Sequence, residues 1–296
     1  GAFECDVTNL LKGHHAAEVQ NIAAKLASAG ISFGPASGVE MALWDLVGKR
    51  AGLPICQLWG GVIREEVDFC ACMGIKDSVE SAETARLYIE EWGFRHIKTK
   101  AGDDLDQDVR IAQAIQKEIG NEAVLRPDAN AGYTPQEVEV QMQRMKDIGV
   151  CYFEDPCDPS QYDCLVRVRK EIGMNVLINT GVVGPESIKD LLVAGVADYL
   201  MPDTPAAGGM QVVKQVAEAA AAWNVPCLMH CGHDFGLKTA AVAHIAACTA
   251  NFSGPNDTCY HGLVDDILVE SLVFKGGCIS VPMEPGLGGD VDEEKL

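Results

Sequence analysis

His96-Ile97-Lys98-Thr99-Lys100 is the stretch from which the fold of this chain can be read. It is a short apolar-flanked run that ends in two lysines, and others like it follow. V-L-R-P-D-A-N delivers Asp128 and Asn130, Y-F-E-D-P delivers Glu154 and Asp155, and V-L-I-N-T delivers Asn179. Y-L-M-P-D then ends at Asp203 and C-L-M-H at His230. The runs recur every ~25 residues, which leaves room for one strand, one helix and two short loops. Strands that repeat at this interval and carry titratable groups at their C-terminal ends predict an α/β fold, a parallel (β/α) TIM-type barrel with its site at the C-terminal mouth.

Working outward, strands are expected at V-D-F-C-A-C-M (67–73), 96–100, 124–129, 151–155, 175–179, 198–202 and 226–230. Helices are expected between them, at 79–92, 104–119, 135–148, 162–172, 185–194, 209–223 and 236–249. A last strand near Ile267–Phe274 would close the ring. A doubly wound sheet is the rival, but no strand is followed by G-x-G-x-x-G and there is no P-loop. Towards the N-terminus, A-A-E-V-Q-N-I-A-A-K-L reads as an amphipathic helix. Ser37, with Glu40 three residues on, has capping-box spacing for a helix that ends near Gly52, before Pro54. The Pro/Gly-rich, then acidic, tail is expected at the surface.

A chain of 296 residues with 48% hydrophobic and 22% charged content can bury a barrel-sized core. No run approaches a membrane span and no signal-peptide pattern opens the chain, so a soluble, cytoplasmic protein is expected. The net charge of −20 argues against nucleic acid as a partner. It also means that an anionic substrate needs a local positive site. The twelve cysteines include no C-x-x-C, and several lie in expected strands, so reduced thiols are expected.

Lys98 and Lys100 share one face of their strand. Either they are a solvated pair or, at a barrel mouth, each lowers the other's pKa until one can act as a base. Asp128, Glu154 and Asn179 end three successive strands. Together they suit Mg²⁺, although Asp and Asn there could equally cap the following helices. Asp203 and His230 end the next two strands, and a carboxylate that orients an imidazole is an acid–base device. Cys227, His230 and His233 could instead form a zinc site. His233, His244 and His261 otherwise read as structural.

Over residues 35 to 290, S-G-V-E-M-A-L-W-D-L-V-G-K-R-A-G-L-P, I-K-T-K, R-P-D-A-N and F-E-D-P together resemble the enolase superfamily. The resemblance is to its mandelate racemase/muconate lactonizing enzyme branch, mandelate racemase-like subgroup. It implies a modified (β/α)7β barrel at 36–280, a remnant of an N-terminal capping domain at 1–35, and a tail at 281–296 packing on the cap. It further implies Mg²⁺ on Asp128, Glu154 and Asn179, and removal of the proton α to a carboxylate. Lys100 would be the base, Lys98 would neutralise the substrate carboxylate, and the Asp203–His230 dyad would work on the opposite face. Glu270, in V-E-S-L-V-F, lies close to the position of a glutamate that hydrogen-bonds the enolate. Asn179 departs from the acidic residue usual at the third ligand position, and the lost charge should weaken the metal site.

The expected function is therefore Mg²⁺-dependent dehydration of an acid sugar or related hydroxy acid by a homo-oligomer. Racemisation, epimerisation and cycloisomerisation use the same groups. A barrel that only binds small acids is the alternative from a different class.

Overall fold

The computed structural model describes residues 2–295, with side chains from residue 7 onward. Gly1 and Leu296, the outermost residues of the expected cap remnant and tail, lie outside the described residues. Three helices open the chain: α1 (Ala2–Leu11), α2 (Val19–Ser28) and α3 (Phe33–Ala51). Val19, Ile22 and Leu26 follow helical spacing along α2 and pack with Ala36 and Leu43 of α3 into a small core of their own.

Helix α3 starts earlier than its sequence suggests. Ser37, the expected N-cap, is buried inside it. The reason lies with Glu40, which closes no capping box. Its carboxylate accepts the backbone N–H groups of Met210 (2.9 Å) and Gln211 (3.2 Å), capping a helix far along the chain. The α3 C-terminus is as expected: Gly52 adopts the left-handed conformation at φ 69°.

After the short α4 (Ile55–Leu58) the strands and helices alternate. They run β1 (Glu66–Cys72), α5 (Ser78–Trp92), β2 (His96–Lys100), α6 (Leu105–Ile119), β3 (Val124–Asp128), α7 (Pro135–Asp147) and β4 (Tyr152–Glu154). Next come α8 (Tyr162–Arg167), which runs into a π-turn at Val168–Ile172, β5 (Asn175–Ile178), α9 (Pro185–Ala194) and β6 (Tyr199–Leu200). The chain finishes with α10 (Thr204–Ala207), α11 (Met210–Ala221), α12 (Gly236–Cys248), β7 (Asn256–Thr258) and β8 (Cys278–Ser280). The strands pair in parallel in the order β6-β5-β4-β3-β2-β1-β7, and β8 adds antiparallel to the start of β1.

The ring is closed by residues 226–230. They form an extended stave without regular ladder pairing, held on both sides. On one side Leu228 N–H donates to Leu200 C=O (3.2 Å) and His230 N–H to Pro202 C=O (3.1 Å). On the other, Asp257 N–H donates to Met229 C=O (2.8 Å). Counting this stave gives seven βα units and a final strand, a (β/α)7β barrel.

That final strand is β7, not Ile267–Phe274. The latter stretch is coil, with one antiparallel bridge from Leu268 to Val291. Leu268 and Phe274 are nevertheless buried, which explains its apolar reading. Among the described residues no helix is long and apolar enough to cross a membrane.

Candidate active site

Strand register builds the site. Lys98 lies opposite Arg126 and Lys100 opposite Asp128, and Asp128 in turn lies opposite Glu154. Alternation along β2 and β3 therefore directs Lys98, Lys100, Arg126 and Asp128 into the barrel in two layers. The chain must leave the strand ends at once to keep the mouth open. Asn130, Ala131 and Asp155 do this in the left-handed region, at φ 47°, 61° and 41°. Gly102 (φ 109°) lets the loop after β2 lie directly on the loop after β3, because a Cβ there would stand 2.5 Å from Ala129 O.

Lys98 is 2% exposed. Its ammonium contacts Glu154 Oε1 at 2.7 Å, Asp257 Oδ2 at 3.0 Å and Asp128 Oδ2 at 3.0 Å. Desolvation pulls its pKa down, but Asp257, Glu154 and Asp128 more than offset this and hold it well above the ordinary lysine range. The expectation of two mutually depressed lysines thus fails at Lys98, because three carboxylates surround it. Lys100 Nζ, further out, donates to Asp128 Oδ2 (2.6 Å) and Asn130 Oδ1 (2.9 Å). Against the effect of burial, the two ammonium groups lower the Asp128 carboxyl to about 2.

Two interior residues went unread in the sequence. Arg126 is fully buried beneath the lysines, with Nε 3.1 Å from Glu154 Oε2 and an ion pair to Asp257 Oδ1. Asp257, on β7, completes the ring of charge. Its strand, N-D-T, has no apolar pattern, and only the ~25-residue interval counted on from His230 would have pointed to it. Glu270, by contrast, is not brought into this group. It is exposed in coil and lines a cleft with Lys49, Glu284 and Asp290. Its expected strand does not form, and β7 puts Asp257 at the barrel-closing position instead.

Glu154 Oε2 is buried and has no hydrogen-bond partner, and burial pushes this carboxyl well above its ordinary range. Oxygen atoms of Asp128, Glu154 and Asp155 lie within 4.8 Å of one another. A buried carboxylate oxygen that receives no hydrogen bond, with the Arg126 guanidinium 3.1 Å away as an ion-pair neighbour, lies here within a set of hard donors, and such a set fits a divalent cation. Asp155 has another task, however. Its oxygens accept Asn179 N–H (2.9 Å), Thr180 N–H (2.9 Å) and the Thr180 hydroxyl (2.7 Å), binding the loop after β4 to the loop after β5. Asn179 Nδ2 donates to Met201 C=O (2.6 Å), which leaves the amide oxygen as its one donor atom for a cation.

On the far side of the mouth, His230 Nδ1 lies 3.2 Å from Asp203 Oδ2. The other oxygen of Asp203 accepts Lys238 Nζ (2.6 Å), which also bonds Asp234 Oδ2 (2.7 Å). Burial raises the Asp203 carboxyl, but the hydrogen bonds from His230 and Lys238 outweigh it and leave the pKa below the usual value. His230, Glu154 and Asp257 each place a polar atom within 4.8 Å of the others, so the two sides meet. The zinc reading of Cys227, His230 and His233 does not survive. Cys227 is fully buried against Asn251, whereas His233 is exposed in a left-handed turn at φ 64°. His261 is packed edge-on against Tyr88, Trp92, Phe94 and Phe274, and burial lowers it to about 4, a structural role.

Comparison with known proteins agrees with this architecture. The profile of the mandelate racemase/muconate lactonizing enzyme N-terminal domain matches residues 2–60, and the enolase C-terminal domain-like profile matches residues 80–295. D-galactarolactone cycloisomerase of Agrobacterium fabrum is 31% identical over 281 residues, covering 90% of this chain and 74% of that enzyme. D-xylonate dehydratase of Haloferax volcanii is 26% identical over 294 residues, covering 93% and 71%. The crystal structure of muconate cycloisomerase from Pseudomonas fluorescens superposes with a TM-score of 0.90 at 25% identity, covering 97% of this chain and 81% of that one. Relatives of these kinds support lyase or isomerase chemistry. With both domain profiles matched and the barrel formed, the chain belongs to the enolase superfamily, in its mandelate racemase/muconate lactonizing enzyme branch.

Proposed function

We propose that the protein removes the proton α to a carboxylate in a Mg²⁺-dependent reaction, and that its overall reaction is dehydration of an acid sugar or related hydroxy acid. The observation that carries this reading is the meeting of a lysine pair, a hard-oxygen cluster and an Asp–His dyad at one barrel mouth. The two domain profiles and the acid-sugar relatives support it.

Asp128, Glu154 and the amide oxygen of Asn179 would hold the cation. When bound, it supplies positive charge for the substrate carboxylate and for the charge that builds on it as the proton leaves. Lys98, held as an ammonium by its three carboxylates, presents fixed positive charge to the same substrate group. Lys100, an ammonium while bonded to Asp128, would exchange that bond for the substrate and release its own proton to solvent at the mouth, and the neutral Nζ would then take the α-proton. His230, oriented by Asp203, protonates the departing β-hydroxyl from the other side. Arg126 and Asp257 keep the floor of the pocket charged and dry.

The test is α-proton exchange in D₂O over a panel of acid sugars with Mg²⁺ present. Wild-type protein should exchange the α-proton and release a 2-keto product. Lys100→Ala should lose exchange by about 10²–10⁴-fold while the fold is kept. His230→Asn should lose the keto product. Exchange without dehydration in the wild type would move the reading to racemase or epimerase, and no exchange with any acid would end it.

A further inference from the structure

A second cluster lies on the β1/β7 side of the mouth, and its chemistry differs from the first. Cys72 ends β1, Cys231 directly follows His230, and Cys259 directly follows β7. The sulfurs of these three partly buried residues lie within 4.8 Å of one another, with Cys231 Sγ 3.7 Å from Cys259 Sγ. All three are free thiols.

Three thiols converging from separate staves call for an account that small-hydrophobe packing does not give. Their backbone contacts are long ones: the Cys72 thiol donates to Cys70 C=O at 3.7 Å and the Cys259 thiol to Cys72 C=O at 3.9 Å. A tetrahedral thiolate centre with metal–sulfur bonds of about 2.3 Å has sulfur–sulfur edges of about 3.8 Å. The Cys231–Cys259 separation already matches such an edge. A disulfide would require closure to about 2.05 Å, a far larger movement.

The surroundings favour the thiolate, which is the ligating form, at Cys72 alone. Contacts with its neighbours and burial raise Cys231 well above the ordinary thiol range and Cys259 is raised to about 12, so a cation binding there must release the protons of those two. Burial opposes ionisation of Cys72, but hydrogen bonds from Cys231, Cys259 and Cys70, with the Lys98 ammonium beside it, bring its pKa well below the ordinary thiol range. Sulfur ligands select soft cations and leave Mg²⁺ to the oxygen cluster.

We propose that Cys72, Cys231 and Cys259 form a three-thiolate seat for a soft cation of the Zn²⁺ class, chemically separate from the oxygen site beside it. Three thiolates leave the fourth tetrahedral position to a ligand from outside the cluster. Because Cys231 follows His230, an ion held there ties that end of the stave to β1 and β7. The proposal does not depend on the reaction assigned above.

The test uses the full, reduced chain in excess Mg²⁺, with Cd²⁺ as the probe. The expected result is an ultraviolet thiolate-to-cadmium charge-transfer band that saturates at one Cd²⁺ per chain and is displaced by Zn²⁺. Cys231→Ser and Cys259→Ser should each weaken binding by at least about tenfold, whereas Cys151→Ser, at an exposed site elsewhere, should not. A readout on unaltered protein guards against misfolded variants. Cd²⁺ should shield Cys72, Cys231 and Cys259 from iodoacetamide, measured peptide by peptide, and leave Cys151 reactive. Alkylation of the three unchanged by Cd²⁺, or a band indifferent to both serine substitutions, overturns the proposal. So does a Cys231–Cys259 disulfide as the resting state of the purified protein.

Discussion

The two sides of the barrel mouth handle charge in opposite ways. On the β2–β4 side, Lys98, Arg126, Asp128 and Glu154, with Asp257 reaching them from β7, are sealed from water and neutralise one another through direct contacts. On the β6 side, Asp203, His230, Lys238 and Asp234 form a chain of ion pairs that solvent still reaches. A sealed network cannot lose one member cheaply, because the partner left behind is a buried charge without compensation. A solvated one can, because water takes the missing partner's place. The first side is therefore expected to couple stability to chemistry, and the second to leave the chemistry free to vary.

The sharpest way to break that contrast is Arg126→Met. It leaves Glu154 Oε2 and Asp257 facing each other in the dry floor, and about 3–5 kcal/mol of stability should go with it. Urea unfolding that leaves the midpoint at the wild-type value would show that the floor is not sealed.

Acid gives a middle-sized effect. Burial works against ionised Asp128, but Lys98 and Lys100 bring its carboxyl to about 2 from an ordinary 3.8. A carboxyl depressed in the folded state stabilises above its unfolded pKa, and that contribution is lost as pH falls through the folded one. Roughly 2 kcal/mol should therefore disappear between about pH 4 and about pH 2. Lys100→Ala should flatten this fall in unfolding curves recorded across that range.

The smallest effect is expected on the open side. Lys238→Met removes the cation shared by Asp203 and Asp234. It should cost about 2 kcal/mol or less. The Asp203 carboxyl should rise when followed by carbon-13 NMR titration, since burial then faces one opposing hydrogen bond instead of two. A loss as large as that of Arg126→Met would erase the distinction between the two sides.

The same contrast explains what the sequence disclosed. β2, β3 and β4 end in distinctive residues, and register then puts Lys98, Lys100, Asp128 and Glu154 in contact. Asp203 and His230 could be paired because each closes an apolar run. Arg126 stayed hidden because an arginine within an apolar strand reads as an interruption, and only the three-dimensional neighbours Glu154 and Asp257 give it a reason to be there. Asp257 stayed hidden because β7 is three polar residues long, shielded by its position in the ring and not by its composition. The apolar stretch at Ile267–Phe274 drew the last strand away from it. Ser37 was misplaced for a related reason: Glu40 answers to Met210 and Gln211, partners no local pattern reveals.

The grip of Asp155 on Asn179 and Thr180 has a practical corollary for anyone redesigning the rim. Transplanting the 179–180 turn from a relative, to place an acidic residue there, keeps the carboxylate's two backbone donors only if the new turn keeps the same backbone path, and keeps its third only if a hydroxyl stands at position 180. The two neighbouring connections are best exchanged as a single cassette.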